Sequence, residues 1–308
     1  MKLSAEKALR NHFVWEAWNY LKKALKVLNR LPSNDVQDKK KLEILHMMII
    51  PIVGLGLPEG SIDFLEEGLR ISKKTGDRKG MIRFFGNSGV YYNNQGQPEK
   101  GTAYIGKAFE TAESIGDLDA MAQTGPDICL VYIRSGNYRK VFPTIARLVK
   151  AIESSRREAD YFGGLTNIYS GIHAVSGFSL GMLGDFEGAF DSCEKALDAA
   201  RKYGGPETIG LCEYFAGAVH LTKGNGKESR DLLQKAVDHF IQANFLWHLP
   251  LCRSTLGLSE AFMGNPEKGL RHVQKGLEYL LQAEKLFQDL SMTHHLDETR
   301  DAMAVLTH

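Results

Sequence analysis

The sequence predicts an all-α solenoid of antiparallel helix pairs with a period of about 40 residues, and three regularities carry that prediction. Glycine-marked turns recur at Gly56, Gly96, Gly136, Gly184, Gly224 and Gly264, spaced 40, 40, 48, 40 and 40 residues apart. Seven residues before these turns stand Ile49, Gly89, Cys129, Gly177, Gly217 and Gly257, glycine in four of six units. Between the markers, apolar residues return at three- and four-residue steps, as in Ala189, Phe190, Cys193, Ala196, Leu197 and Ala200. That is the period of a helix with one buried face. No stretch sustains the alternation of a strand, so no sheet is expected.

Each unit reads as helix, short turn, longer helix and glycine stop. A glycine in a helix interior costs about 1 kcal/mol relative to alanine, so the recurring interior glycines predict close helix–helix approach. The expected partners lie twelve residues after each turn glycine: Gly68, Ala108, Leu148, Ala196, Ala236 and Gly276, small in five units of six. Gly76-Asp77 and Gly116-Asp117 supply a left-handed helix stop followed by a helix-starting aspartate, with Gly204-Gly205 in the matching place later. Pro98, Pro266, Glu99 and Glu267 suit the first turn of a second helix, where a missing N–H and a negative charge are both tolerated. The unit from Gly136 departs most. It has Val141 and Leu148 where small residues belong, Pro126 and Pro143 within helical pattern, and eight extra residues before Gly184. A lengthened helix or a bend is expected there. Residues 1–308 read as one repeat domain, with a degenerate N-terminal unit over 1–33, repeats over about 35–280 and a C-terminal capping helix over about 282–306.

These residues resemble the tetratricopeptide repeat family. Leu256-Gly257 matches its Leu-Gly pair, Gly89 and Tyr92 its Gly-x2-Tyr, and Ala189, Cys193 and Ala196 its second-helix series, with cysteine in place of the aromatic. Ala17, Leu21 and Ala24 look like the second helix of an earlier unit. The resemblance covers roughly residues 12–280 and implies a right-handed superhelix whose concave side is lined by the first helix of each unit. The period exceeds the family's usual ~34 residues, so longer helices are expected. The stretches Val14-Trp15-Glu16-Ala17-Trp18-Asn19-Tyr20 and Ala24 to Pro32, with Gly181 to Glu187, are also similar to repeat regions of large bacterial signalling proteins that carry a class III nucleotide cyclase or kinase and a signal-transduction ATPase. That likeness implies a sensor or scaffold region without catalytic parts.

Composition points the same way. The chain carries 38 basic and 37 acidic residues, a net charge of +1, which argues against a dedicated nucleic-acid binder and against long-range attraction to anionic membranes. No apolar run approaches the ~20 residues of a membrane span, and Met1 to Asn11 lack a signal-peptide core. Cys129, Cys193, Cys212 and Cys252 lie far apart among apolar neighbours, which reads as buried free thiols in a reducing cytoplasm. Gly224-Asn225-Gly226-Lys227-Glu228-Ser229 lacks the hydroxyl residue and the glycine spacing of a phosphate loop. No His-Glu-x-x-His occurs, and His294-His295 are adjacent rather than a turn apart. Asp117-Leu118-Asp119 is a helix start, and a Gly-x-Ser-x-Gly elbow is missing. No catalytic, cofactor or metal residue is assigned, and a non-enzymatic binding protein is expected.

The binding face follows from the repeat. Six residues before each turn glycine come Ile50, Val90, Leu130, Phe178, Ala218 and Leu258. The same face carries Pro126 and Tyr214 a turn earlier, and Asn93, Ile133 and Leu221 three residues later. Neither lysine nor arginine stands at these places, so a clamp for a peptide's terminal carboxylates is not expected. The candidate concave face is Val90, Asn93, Leu130, Ile133, Phe178, Tyr214, Leu221 and Leu258, lining an apolar channel for a protein partner or, in the alternative, for a short peptide or small apolar ligand; an all-helical enzyme is the remote alternative. The competing reading makes this stripe core. The flat ends of such a stack leave room for self-pairing.

Overall fold

The computed structural model describes residues 1–10, 13–32 and 34–289. These residues form fourteen α-helices and, among the described residues, no strand. They are α1 (Lys2–Arg10), α2 (Val14–Leu28), α3 (Asp35–Gly54), α4 (Ser61–Thr75), α5 (Arg78–Asn94), α6 (Pro98–Ser114), α7 (Leu118–Arg134), α8 (Val141–Ser154), α9 (Ile168–Met182), α10 (Phe186–Tyr203), α11 (Pro206–Lys223), α12 (Gly226–Gln242), α13 (Leu249–Phe262) and α14 (Pro266–Asp289). The chain divides into two compact units, one built on residues 1–120 and one on residues 121–286. In the first, α5 packs on α6, with α4 against α5 and α2 against α3. In the second, α9 packs on α10 and on α11, α11 on α12, and α12 on α13. This is the consecutive pairing that the 40-residue repeat predicts.

The punctuation works as the residues dictate. All six turn glycines have positive φ, from 67° at Gly56 to 91° at Gly224, a conformation that a side chain would strain. Asp77, Asp117 and Asp185 cap the next helix by accepting from the backbone N–H groups of Gly80 (2.9 Å), Ala120 (3.1 Å) and Gly188 (3.0 Å). Pro98 and Pro266 are the first residues of α6 and α14. Gly204 differs from expectation: its φ of −103° is extended, and what excludes a side chain there is Thr208 and the Ala200 carbonyl pressed against it.

The close approach of paired helices is real, but its partners differ from those expected. A Cβ on Gly89 would lie 2.9 Å from the Gly101 carbonyl oxygen, and one on Gly257 would lie 2.7 Å from that of Gly269. Gly177 meets Ala189 and Cys193, and Gly217 meets Ser229 and Leu233. These partners stand five and nine residues after the turn glycine rather than twelve. Antiparallel helices joined at a tight turn pair by equal distance from that turn, so a residue seven before it meets one five to nine after it. The series at twelve serves a different contact: Gly68 receives the Phe84 ring and Gly276 the backbone of Pro250.

The departing unit resolves neither as a longer helix nor as a simple bend. α8 ends at Ser154, and residues 155–167 form an irregular strap before α9. Cys129 and Val141 hold the close-approach positions of this unit, with the Cys129 thiol 4.0 Å from the Val141 carbonyl oxygen. At the C-terminal side, residues 282–289 continue α14. Leu296, Met303, Leu306 and the rest of the expected capping helix, like His294 and His295, lie outside the described residues. No helix among the described residues is long and apolar enough to cross a membrane.

Candidate functional site

The second unit contains a concave cavity of about 390 Å³. Its walls come from regular positions of the repeat. Nine residues before their turn glycines stand Asp127, Val175 and Phe215, and thirteen before stand Gln123, Gly171 and Leu211. A four-residue step keeps both rows on one face of α7, α9 and α11. The strap closes another side with Phe162, Leu165 and Thr166, and Phe245 and His248 add the segment between α12 and α13.

The strap is held by hydrogen bonds that its sequence supplies. Asn167, fully buried, caps α9 by accepting from the Ser170 N–H (2.9 Å) and hydroxyl (2.7 Å). Its amide nitrogen donates back to the Glu158 carbonyl (2.8 Å), and its backbone N–H donates to the Thr208 hydroxyl (3.0 Å) on α11. The Tyr161 hydroxyl donates to Glu207 and accepts from the Gly205 N–H, both at 3.0 Å. Gln123 reaches across from α7 and donates to the Phe162 carbonyl at 3.1 Å. Phe162 takes a φ of 50°, and its buried ring is covered by the Arg157 guanidinium at 4.5 Å. A strained backbone residue persists where its surroundings over-determine it, and here seven hydrogen bonds hold the strap that carries one.

The lining is apolar with few polar groups. Burial pushes the His248 imidazole down to about 4, so at neutral pH it is an uncharged ring stacked on Phe245 with centroids 4.8 Å apart. The Cys129 thiol is pushed up to about 12 by burial, which makes it a packing group rather than a nucleophile. Cys193 and Cys252 are raised to about 12 by the same cause, and all four cysteines are free and buried. Asp127 is the exception. It keeps solvent access on the cavity wall, yet the surrounding protein pushes its carboxyl up to about 6, with Arg134 pulling the other way. It accepts no hydrogen bond from the described residues.

Of the eight residues read from the sequence as a binding face, Leu130, 38% exposed, lines this cavity. Phe178 stands behind the wall, its ring 5.6 Å from that of Phe215 and 6.3 Å from that of Tyr138. Tyr214 also backs Phe215, at 5.3 Å, and burial pushes its phenol up to about 12. Ile133 and Leu221 are half-buried, and Leu258 is exposed, all outside the lining. Val90 and Asn93 belong to the first unit, where Val90 is exposed and the Asn93 carboxamide fills the space above Gly101. The lining residues that the sequence reading passed over are Gln123, Asp127, Leu211, Phe215, His248 and the strap. Part of the signal was present: the 48-residue spacing, and Val175, Phe215 and Leu211 at positions nine and thirteen before successive turns.

No family model matches the chain, and no curated protein matches it by sequence. Solved structures do. The apo form of RapI superposes with a TM-score of 0.67 over 92% of this chain and 97% of that one, at 11% identity. The fold is a tetratricopeptide-type helical repeat. Aspartyl phosphate phosphatase F from Bacillus subtilis matches this repeat with a TM-score of 0.58 over 98% of this chain and 80% of that one, at 14% identity. NprR in complex with its cognate peptide NprX matches with a TM-score of 0.54 over 95% and 84%, at 15% identity. At these identities the likeness is one of fold.

Proposed function

We propose that this repeat protein is a non-catalytic binding regulator that seats a short peptide, or an apolar segment of a protein partner, in the cavity of its second unit. The observation that carries the reading is the cavity itself: about 390 Å³, walled by apolar side chains of three successive first helices and closed by a hydrogen-bonded strap. Concave, mostly apolar sites with a few placed polar groups are where repeat and globular folds take ligands. NprR, of like fold, is solved with its cognate peptide, which supports the choice of a peptide. The lining offers no activated nucleophile, since its thiol is protonated and its imidazole neutral and stacked. Cytoplasmic bacterial signalling is the setting we propose, on the resemblance of the N-terminal stretch to signalling repeats.

Gly171 gives a direct test. It lines the cavity, and a Cβ there would meet only Leu211, at 3.9 Å. Gly171→Leu therefore fills the cavity while adding a better helix former. The expected result is a melting temperature equal to or above wild type, together with loss of the melting shift that a pool of five- to seven-residue apolar peptides produces in wild type. Equal shifts in the two proteins would move the binding site elsewhere.

A further inference from the structure

We infer that the cavity selects a ligand with a cationic nitrogen, a primary amine or a guanidinium, on an apolar body, and that Asp127 is its counter-ion. The inference rests on the cavity being a ligand seat, and it names the chemistry of what sits there.

Three observations lead to it. Among the described lining residues Asp127 is the one carboxylate, and it stands beside the apolar side chains of Pro126, Leu130, Val175, Leu211 and Phe215. A neutral apolar ligand in contact with that wall would strip water from an ionised carboxylate and leave it without compensation, which is costly. A ligand cation at the carboxylate replaces the lost water with a charge-assisted hydrogen bond.

The protein does not supply that cation itself. Arg134, the charge that acts on Asp127 from seven residues on along α7, makes no ion pair or hydrogen bond with it among the described residues. The other polar liners do not substitute for it: the Gln123 amide is committed to the Phe162 carbonyl, and the Cys129 thiol points to the Val141 carbonyl.

Size completes the description. A volume of about 390 Å³ stands near the lower end of ligand pockets and holds about two large side chains. The cationic group therefore sits at one end of a short apolar body, as an amino terminus does on a pair of apolar residues.

The test uses the full chain and two probes, phenylalanyl-leucinamide, with a free amine, and its N-acetylated counterpart, which is neutral. Both are titrated calorimetrically at pH 7 into wild type, Asp127→Asn and Gly171→Leu, each shown by its melting curve to be folded. The expected result is at least tenfold tighter binding of the amine by wild type. Asp127→Asn should bring the amine to the affinity of the acetylated probe and leave the latter unchanged or slightly improved, and Gly171→Leu should bind neither. Equal affinities in wild type, or a preference that survives in Asp127→Asn, would overturn the cation inference while the cavity remains a ligand seat. Binding of neither probe by wild type at 10 mM would overturn both readings.

Discussion

Gly86 and Gly89 stand one turn apart on α5, and they show how little composition says about a residue's role. A Cβ on Gly86 would meet nothing within 4 Å, whereas one on Gly89 would press on the Ile105 side chain and on the Gly101 carbonyl oxygen at 2.9 Å. Gly86→Ala should raise stability by about 0.5–1 kcal/mol, because it removes backbone freedom from the unfolded chain. Gly89→Ala should lower it by about 1–3 kcal/mol, because the backbone across the interface has nowhere to go. Denaturant midpoints at constant slope read both, and equal effects would remove close packing as the reason for the interior glycines. His248 and Asp127 make a second matched pair. His248 falls from 6.5 to about 4 on folding, so the unfolded chain binds more protons between those values. Stability is then lost as pH falls from about 6.5 toward 4, by up to about 3 kcal/mol. Asp127 rises from 3.8 to about 6, so its contribution is present at low pH and lost as pH rises through 6, opposing His248. Across pH 4 to 7 the two largely offset one another in wild type, so in melting curves His248→Gln should lose stability as pH rises and Asp127→Asn should lose it as pH falls, each more steeply than wild type.

At the scale of elements, the strap over residues 155–167 is the part that hydrogen bonds hold rather than helical pairing. Asn167 is its anchor, bonding in both directions while fully buried. Asn167→Ala leaves the Ser170 N–H and the Glu158 carbonyl without their partner, a loss of about 2–4 kcal/mol. Amide exchange over 156–166 should accelerate well beyond that of α12, and peptide binding should weaken with it. A strap whose exchange stays unchanged would show that the Tyr161–Glu207 and Gln123–Phe162 bonds suffice. Helix α10, by contrast, is secured by its pattern alone: Ala189, Cys193, Ala196 and Ala200 are all buried, as their three- and four-residue spacing requires.

On the scale of the whole molecule, packing runs between neighbours in sequence, as in α5 with α6, α9 with α10 and α11 with α12. In such arrays stability is approximately a sum of unit and nearest-neighbour terms, and local opening need not spread. Gly89→Ala should therefore raise amide exchange in α5 and α6 while α11 and α12 keep wild-type protection. Uniform acceleration along the chain would instead indicate one cooperative unit.

The helical repeat, its turns and its caps can be read from residues alone. Each rests on a local rule: a glycine that alone tolerates positive φ, an aspartate that satisfies free N–H groups three residues on, a proline that opens a helix. Gly56 to Gly264 were legible for that reason, and so was the irregularity before Gly184, although not the form it takes. Tertiary structure decided which small residues face one another, because that depends on how far each lies from the turn. It also decided which face of α7, α9 and α11 becomes a cavity. The strap determines that outcome, and it is fixed by Asn167, Tyr161 and Gln123 bonding to residues 3 to 46 positions away. Pairings over such distances leave no period in the sequence, so the strap's share of the lining was not legible there, whereas the rows nine and thirteen residues before the turns follow the repeat.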